Sequence, residues 1–445
     1  MKEMQPMKFY HEESRDIPIV AEPDILVAGA GPAGVGAAIA AARAGAKVML
    51  IEKGAYPGGV ATMGMMSHWS GATQCPLMIE IAERTMKAAA LPTETNPGLT
   101  QHDQTWSIPH ECLKQVLFEM LNEAGVTLQM HTMAVGVVKE NNKVRGVITE
   151  SKSGREVIMA QAVIDATGDG DIAAFAGVPY QLGREEDNAC QPVTLMFRIG
   201  GVDYTRAAFP HSFETLVDLP KGEIQALGRL HLPAPAGHVL LYRNLLPGEV
   251  TVNMTNVTGI NGIDVRDLTR AEIICREQME KIVLFLREYV PGYEKCYLSA
   301  SGDMVGVRET RHFKGILTLT AEDIVEATVF DDWIATRNYF NFDIHNIKGA
   351  GLDSNGLQKH FKAKGKYTIP YRACVPENID GLLLSGRNIS GTHKAHSNYR
   401  VMGICLNIGV GVGTAAAVAV KSRCELKNVD ITEVQQILLK NGTEI

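Results

Sequence analysis

The chain has 445 residues, of which 45% are hydrophobic, and its 43 Lys and Arg against 50 Asp and Glu give a net charge of −7. This length suffices for a large buried core and suggests about two or three domains, and the absence of long basic runs gives no nucleic-acid footprint. The eight cysteines stand at least 19 residues apart, which excludes a sequence-local redox disulfide and clustered iron–sulfur ligands and fits reduced thiols in the cytoplasm.

Two segments bear on targeting. Residues 1–20 are polar and have no basic start leading into an apolar run, so we expect a tail or an added strand and not a signal peptide. Residues 401–420 are uncharged, but glycines and alanines lower their hydrophobicity and Arg400 directly precedes them. We therefore expect a buried helix and no membrane span.

Residues 24–52 spell a strand, a glycine turn, a helix and a second strand, with the turn reading GAGPAG. In this context Gly29 permits a tight turn, Gly31 lets the backbone approach a pyrophosphate, and Gly34 lets the helix lie close to the strand. Glu52 ends the second strand, where a carboxylate accepts from the hydroxyls of a ribose. The segment predicts the ADP half of a dinucleotide site and does not decide between FAD and NAD.

The next elements are a glycine-rich loop over 53–71, a helix over 76–90, a polar loop over 91–107 and an amphipathic helix over 109–124. The glycine-rich loop either lies beneath a cofactor or is a flexible surface loop. From 126 to 165, short alternating segments separated by Asn-Asn and Ser-Gly turns predict a small β-meander of four strands.

The meander runs into ATGDGD at 166–171, which indicates either a strand emerging at a nucleotide site or an ordinary turn. The residue pattern then changes to longer polar connections and one long helix over 268–289. A buried strand over 379–384 and the Ala/Gly-rich helix at 401–420 follow this region. The predicted division is a tail (1–20), the first part of a nucleotide domain (21–178), an inserted domain (179–366) and the second part (367–445).

Several motifs in this order resemble the FAD-dependent oxidoreductases of glutathione-reductase-like fold, near the succinate dehydrogenase and fumarate reductase flavoproteins. The motifs are GAGPAG with Glu52, GGVAT, DATGDGD, GVRETR at 306–311, DIH at 343–345, IPYR at 369–372, and DGLLLSGRNIS running into SNYRVMG. The resemblance covers almost the whole chain. It implies an α/β fold, in which a Rossmann-like FAD-binding domain carries the small β-meander and an inserted α+β substrate or cap domain.

The resemblance also implies which residues hold FAD, and it aims the N-terminus of the helix from Met402 at the flavin, where free N–H groups stabilise negative charge. No motif around His68 matches a covalent flavin attachment, so we expect non-covalent FAD. Arg387 departs from the family pattern, which often has an acidic residue there. The implied FAD-binding residues are Gly29, Gly31, Ala33, Gly34, Glu52, Lys53, Gly59, Thr62, Val135, Thr167, Gly168, Gly386, Arg387, Met402 and Gly403.

Candidates for binding a substrate and moving protons are arginines and histidines near the expected flavin. In the similar family segment an arginine before the last helix binds substrate carboxylate, which makes Arg400 the leading catalytic candidate. Arg308 and Arg311, three residues apart, could clamp a carboxylate or form structural ion pairs. His345 is either a further candidate from the inserted domain or, as is somewhat favoured, a structural histidine. If the two domains meet at the flavin, Arg308 and His345 would face Arg400 across a cleft.

His393 and His396 precede Arg400 and are candidate acids or bases, because imidazole titrates near neutral pH. A His-x-x-His pair without a carboxylate or a third histidine is a weak metal signal, so the sequence predicts no metal site.

Taken together, these features predict an FAD-dependent oxidoreductase that transfers hydride or electrons to or from a small polar organic substrate. A separate electron donor or acceptor is expected, because the sequence holds no second strand–GxGxxG–helix unit for NAD. The alternatives are a flavoprotein electron-transfer subunit and a non-redox FAD protein that acts on a macromolecule. The −7 balance mildly disfavours the last of these when the macromolecule is an RNA.

Overall fold

The computed structural model describes residues 8–71, 74–90, 107–353 and 363–445. Most of the loop predicted for 91–107 and the first seven residues of the predicted tail lie outside these ranges. The strands are β1 (Ile19–Ala21), β2 (Ile25–Ala28), β3 (Val48–Ile51), β4 (Thr127–Gln129), β5 (Met133–Glu140), β6 (Lys143–Ser151), β7 (Gly154–Met159), β8 (Ala162–Asp165), β9 (Tyr180–Leu182), β10 (Phe197–Gly200), β11 (Asp218–Leu219), β12 (Gly222–Glu223), β13 (Leu241–Arg243), β14 (Val250–Val252), β15 (Tyr297–Ser301), β16 (Arg311–Phe313), β17 (Trp333–Asn338), β18 (Tyr367–Pro370) and β19 (Leu382–Leu384).

The helices predicted over 76–90, 109–124, 268–289 and 401–420 are confirmed with small shifts at their ends. Short 3-10 turns cover Gly59–Ala61, Tyr371–Ala373 and Leu426–Asn428. The α-helices are α1 (Pro32–Arg43), α2 (Pro76–Ala89), α3 (His110–Glu123), α4 (Asp171–Ala176), α5 (Ile224–His231), α6 (Val265–Tyr289), α7 (Ala321–Val325), α8 (His393–Tyr399), α9 (Met402–Ser422) and α10 (Ile431–Lys440).

A parallel five-stranded sheet in the order β19-β8-β2-β3-β4 forms the centre of the fold. Residues of β2, β3, β8 and β19 are buried throughout, as continuous apolar runs in parallel sheets require. Ligands of such sheets bind beyond the carboxyl ends of the strands. Gly29, Glu52, Thr167 and Gly386 all follow those ends, so the segments of the predicted cofactor site lie along one edge.

A second sheet, in the order β1-β7-β6-β5, corrects the predicted meander. The first predicted strand is β4 and joins the central sheet, and the last predicted segment divides into β7 and β8, of which β8 also joins the central sheet. Residues 160–161 separate these two strands. The N-terminal segment supplies the added strand β1, which pairs in parallel with β7.

A third sheet, β13-β14-β10-β15, packs with α6 around a separate hydrophobic cluster that draws on residues 193–305. The first cluster collects the central sheet together with Phe313, Ile344 and Tyr367. The two clusters are consistent with an inserted domain, in which the chain leaves the nucleotide domain and later returns to it. The limits of the inserted domain at residues 179 and 366 stay predictions.

Glycines allow α1 and α9 to pack closely behind the central sheet. A Cβ on Gly413 would lie 2.2 Å from the carbonyl oxygen of Ala37, and one on Gly36 would lie 2.5 Å from that of Leu406. Among the described residues, α9 is long and apolar enough to cross a membrane, but 89% of its apolar window is buried inside the protein. The expectation of a buried helix at 401–420 is therefore confirmed.

We expect Gly413→Ala to lower the free energy of unfolding by about 1–3 kcal/mol, because the new methyl group forces two buried helices apart. This strain acts against a helix-propensity gain of about 1 kcal/mol. Denaturant unfolding measures the change, with Gly365→Ala as the control because its Cβ would meet nothing closer than 3.5 Å among the described residues. A Gly413→Ala variant as stable as the parent chain would show that this helix contact is looser than described.

Candidate functional site

The glycine turn between β2 and α1 has the geometry of a phosphate-binding turn. Gly29 has φ +95°, and a Cβ there would lie 2.4 Å from the carbonyl oxygen of Ala166. A Cβ on Gly34 would lie 1.8 Å from the carbonyl oxygen of Gly29, so both glycines are fixed by packing within the protein. Gly31, by contrast, faces open space at the N-cap of α1, because a Cβ there would have no atom of the described residues within 4 Å. That space adjoins the N-terminus of a helix, which favours an anion.

Glu52 lies buried beside this turn. Its Oε2 accepts from the Ala30 N–H at 2.7 Å and its Oε1 accepts from the Gly54 N–H at 2.8 Å. Each oxygen keeps a second lone pair, so the carboxylate is held in place and can still accept from a ribose hydroxyl. Lys53, the next residue, is exposed.

The loop after β3 closes over the turn. Gly58 has φ +113° and donates its N–H to the Ala30 carbonyl at 2.7 Å, and a Cβ on Gly59 would lie 2.9 Å from the Cα of Gly31. Thr62 is buried and donates its hydroxyl to the Pro57 carbonyl. The flexible-surface interpretation of this loop is wrong, because Thr62 and the Gly58 N–H are engaged inside the fold.

The segment after β8 is organised by Asp165, whose side chain is fully buried. Its carboxylate accepts from the Thr167 N–H and hydroxyl and from the Ala173 N–H at 2.7–3.1 Å. Burial raises the pKa of Asp165 to about 6 in spite of these bonds. Asp165 therefore ties the end of β8 to α4 and fixes the backbone at Thr167 and Gly168.

Arg387 lies against this segment. A Cβ on Gly168 would lie 2.3 Å from Nη1 of Arg387, so the guanidinium occupies the space that a side chain at 168 would need. The Nη2 of Arg387 donates to the Asp169 carboxylate at 2.5 Å. Arg311 donates to the Asp169 carbonyl and to Asp171, at 2.8 and 2.9 Å. The proposed clamp of Arg308 with Arg311 is therefore not formed, because Arg311 serves a structural ion pair.

The remaining cofactor candidates occupy different positions. Ala33 and Gly386 lie together, since a Cβ on Gly386 would come within 2.8 Å of the Ala33 methyl. Val135 lies in β5 where the pairing with β6 shifts register. At the start of α9, the Gly403 N–H donates to the Ser70 carbonyl at 2.9 Å, and the Met402 N–H lies 3.4 Å from the Ser70 hydroxyl. These two N–H groups thus have protein acceptors, and a flavin contact of α9 stays a prediction.

These residues fit the ADP half of FAD on structural grounds, because the open space at Gly31 is framed by a helix N-terminus, by the closing loop and by the fixed carboxylate of Glu52. Gly31, Gly59 and Glu52 would hold the diphosphate and the ribose, and Thr167, Gly168 and Gly386 line the same edge of the central sheet.

A second set of polar residues joins elements from both hydrophobic clusters. Arg400 donates through Nη2 to the Asp343 carboxylate at 2.9 Å and to its carbonyl at 3.0 Å, and His345 Nε2 lies 3.2 Å from the same carboxylate. Arg308 donates through Nη1 to the Pro192 carbonyl at 2.6 Å. We call Arg308, Asp343, His345 and Arg400 the cationic cluster. Arg400 and His345 share Asp343, and the charge of Arg308 acts on both, as the pKa values below show. That Arg308 and His345 face Arg400 across a cleft at the flavin stays a prediction.

The electrostatics of the cationic cluster are unusual for a buried site. Burial and the charge of Arg400 lower the pKa of Arg308 to about 10, and burial together with Arg308 lowers the pKa of His345 to about 4. Asp343 is desolvated, but His345, Arg400 and Arg308 hold its pKa far below its usual value. At neutral pH the cluster therefore contains two cations, one anion and a neutral imidazole, for a net charge of +1.

Aromatic residues of the inserted segment border the cationic cluster. The Phe213 ring contacts the rings of His345 and His238 edge-on, at centroid distances of 5.3 and 4.9 Å. Burial lowers the pKa of His238 to about 3 and raises that of Tyr242, so both are neutral. None of these neighbours compensates the positive charge.

His393 and His396 belong to a separate group around Glu309. The Glu309 Oε1 lies 2.8 Å from His312 Nε2 and 2.5 Å from His393 Nδ1, and Oε2 accepts from the Gln191 N–H at 3.0 Å. The His396 ring packs edge-on against His312. Burial works against ionisation of Glu309 and of His393. The hydrogen bonds with His312 and His393 nevertheless lower the pKa of Glu309, and the hydrogen bond with Glu309 raises the pKa of His393. We call Glu309, His312, His393 and His396 the glutamate–histidine cluster.

The central sheet, its glycine turn and the fixed carboxylate define a dinucleotide-binding α/β protein. The chain belongs to the FAD dependent oxidoreductase family, whose model matches residues 24–438. The family predicted from the motifs and its cofactor, FAD, are thereby confirmed.

Individual relatives match over shorter stretches. A thiamine thiazole synthase of Aeropyrum pernix is 32% identical over 158 residues, which are 33% of this chain and 54% of the relative. A digeranylgeranylglycerophospholipid reductase of Methanocella arvoryzae is 26% identical over 184 residues, 38% of this chain and 45% of the relative. The chain thus spans about half the length of the curated relatives it matches. A geranylgeranyl bacteriochlorophyll reductase-like structure from Thermoplasma acidophilum covers 95% of this chain and 82% of its own, with a TM-score of 0.46 and 15% identity.

Sequence reasoning missed the residues that organise both clusters. The DIH motif contains Asp343, but nothing in its local sequence marks it as the residue that joins Arg400 to His345. Glu309 and His312 stand beside Arg308 in the sequence, whereas their side chains face His393 and His396. The available signal was the Glu-x-x-His spacing of 309 and 312, which complements the His-x-x-His spacing of 393 and 396.

Proposed function

We propose that this FAD-dependent oxidoreductase acts on a small polar organic acid and transfers hydride or electrons between that substrate and a separate donor or acceptor. The observation that carries the proposal is the net charge of +1 in the cationic cluster. An uncompensated buried charge is costly, and an anionic group of the substrate offsets that cost.

Unfilled hydrogen-bond donors support the same proposal. Among the described residues, no acceptor lies within reach of two buried nitrogens, Arg400 Nε and the side-chain Nε2 of Gln191. The Oε1 of Gln191 accepts from the His345 N–H, and Gln191 also precedes Pro192, the acceptor of Arg308. Buried donors of this kind usually have a partner, and substrate oxygens would supply it.

FAD, when bound, supplies the hydride and electron transfer chemistry. In the proposed site Arg308 and Arg400 bind and orient the carboxylate, while Asp343 fixes the guanidinium of Arg400. His345 holds a proton on Nε2, toward Asp343, which leaves Nδ1 as an acceptor for a substrate proton. His393 and His396 are less direct candidates, because their side-chain contacts described above lie within the glutamate–histidine cluster.

The test is an anaerobic redox screen of the FAD-loaded protein. The flavin is reduced chemically and mixed with enoates, keto acids, sugars and steroids, and a parallel set of carboxylates is offered to the oxidised flavin. We expect the flavin absorbance to change with organic acids and not with their amides or esters. Flavin that responds only to a protein partner would favour an electron-transfer subunit, and a flavin that responds to nothing would contradict the proposal.

We expect the affinity for an organic acid to change by less than about threefold between pH 6 and 8. His345 is neutral throughout this range because its pKa is about 4, Arg308 stays charged because its pKa is about 10, and Asp343 stays ionised. His238 and Tyr242 face the cluster in neutral form. Titration of the flavin absorbance at several pH values measures this, and a steep fall in affinity near pH 6.5 would show that a charged histidine binds the acid.

A further inference from the structure

The glutamate–histidine cluster is a second site, distinct from the cationic cluster. It brings together two short motifs: Glu309 lies just before β16 and His312 within it, and His393 and His396 lie on α8. One potential ligand atom from each of Glu309, His312 and His396 lies within 4.8 Å of the others. A carboxylate and two imidazoles converge here from segments that are distant in the sequence.

This convergence occurs where water is excluded. The side chain of Glu309 is 0% exposed and that of His312 is 5% exposed, and His396 as a residue is 1% exposed. Within the described part of the chain, the Nδ1 atoms of His312 and His396 have no hydrogen-bond partner. Unpartnered nitrogens on buried imidazoles are uncommon, because each leaves a lone pair or a proton unsatisfied.

The carboxylate is held in place by groups outside this trio. His393 donates from Nδ1 to Oε1, and the Gln191 N–H donates to Oε2. Protein metal sites commonly hold a ligating carboxylate by such outer hydrogen bonds, which fix its orientation and leave further lone pairs for the ion.

We propose that Glu309, His312 and His396 bind a first-row divalent cation of the Zn²⁺ or Fe²⁺ type. Two imidazoles and one carboxylate suit these ions, and an oxygen-rich set for Mg²⁺ or Ca²⁺ is not present in the trio. Ligand atoms of a tetrahedral ion lie about 3.4 Å apart when its bonds are about 2.1 Å long. For the ion to bind, the 2.8 Å contact between His312 Nε2 and Glu309 would open slightly and the proton of His312 would move from Nε2 to the unpartnered Nδ1, while His396 would move inward.

The site would tie α8 to the start of β16. Both elements adjoin the cationic cluster in sequence, since Arg308 precedes Glu309 and Arg400 follows α8. The cation thus serves mainly to hold these two segments together, and the inference is independent of the substrate class proposed above.

The experiment is metal uptake by the full-length, FAD-loaded protein without a histidine tag. After dialysis against a chelator, the protein is titrated with Co²⁺ and Zn²⁺, and bound metal is measured by mass spectrometry together with the visible Co²⁺ spectrum. We expect about one cation per chain with ligand-field bands of a nitrogen–oxygen site. Less than about a tenth of a cation per chain would overturn the proposal.

Variants locate the site. His396→Phe and Glu309→Gln are each expected to weaken cation binding by at least about 100-fold, whereas His131→Gln, which alters an exposed histidine outside the cluster, leaves it unchanged. The two cluster variants are independent tests, so if one fails to fold, the other still tests the assignment. Uptake that persists unchanged in a folded His396→Phe variant would overturn the assignment.

Discussion

Replacing Arg400 by Met is expected to lower kcat/KM for the organic acid by about 100- to 1,000-fold and to leave the FAD content unchanged. The substitution removes one of two cations, so the cationic cluster falls from +1 to 0 and no longer requires an anion. It also leaves Asp343 without the guanidinium that lies 2.9 Å from its carboxylate. Steady-state kinetics together with the flavin-to-protein absorbance ratio measure both effects.

Two matched variants sharpen this prediction. Arg400→Lys keeps the charge but loses the planar fork, so it is expected to recover part of the lost kcat/KM. Arg43→Met removes a guanidinium that pairs bidentately with Glu80 on the protein surface, and it should leave turnover unaltered. Equal losses in the Arg400 and Arg43 variants would trace the effect to general stability and not to the site.

Gly31→Val is expected to reduce FAD loading by at least about 100-fold while the apoprotein folds as stably as the parent chain. The reason is that Gly31 faces open space in the protein and has an ordinary φ of −67°, so a larger side chain meets no atom of the described residues at its Cβ. It would instead occupy the space into which a diphosphate must come. Flavin fluorescence titration and thermal unfolding of the apoprotein report the two quantities separately.

Gly34→Val provides the contrast. Its Cβ would lie 1.8 Å from the Gly29 carbonyl oxygen, so this variant should lose stability as well as FAD. If Gly31→Val binds FAD with the parent affinity, the cofactor does not approach the turn, and the assignment of the ADP half fails.

The central sheet and its cofactor edge were predictable because their signals are local. These signals are the apolar run before Gly29, the glycine spacing and the carboxylate of Glu52, which all lie within residues 24–52. Each is required for dinucleotide binding for a direct steric or hydrogen-bonding reason. The long apolar helix was also predictable, because its uncharged run over 401–420 is a local signal. In the structure its Gly409 and Gly413 approach Ala33 and Ala37 of α1.

Sheet membership was less predictable. Thr127–Gln129 alternates like the strands that follow it, yet it pairs in parallel with β3 of the central sheet. Local alternation describes which face of a strand is buried but does not say which strand is its neighbour. The break between β7 and β8 was hidden for the same reason, since both halves are apolar and extended.

The partners of buried charges were the least predictable part of the site. Arg311 and Arg308 are three residues apart, but one pairs with Asp171 and the other donates to Pro192. Asp343 lies 57 residues before the arginine that it holds. Such pairings depend on tertiary packing. The sequence therefore indicated the arginines and histidines as candidates but did not indicate the net charge of the cationic cluster that they form.

The proposed acid-binding role of the cationic cluster can be tested by titrating the FAD-loaded protein with malonate and, separately, with malonamide, while the flavin absorbance is followed. Malonate is a small anion that can engage Arg308 and Arg400, and malonamide has the same shape without the charge. We predict a saturable spectral change with malonate that malonamide does not produce and that Arg400→Met abolishes. Equal responses to the two compounds, or no response to malonate in the parent protein, would contradict the proposal that the cationic cluster binds an anionic substrate beside the flavin.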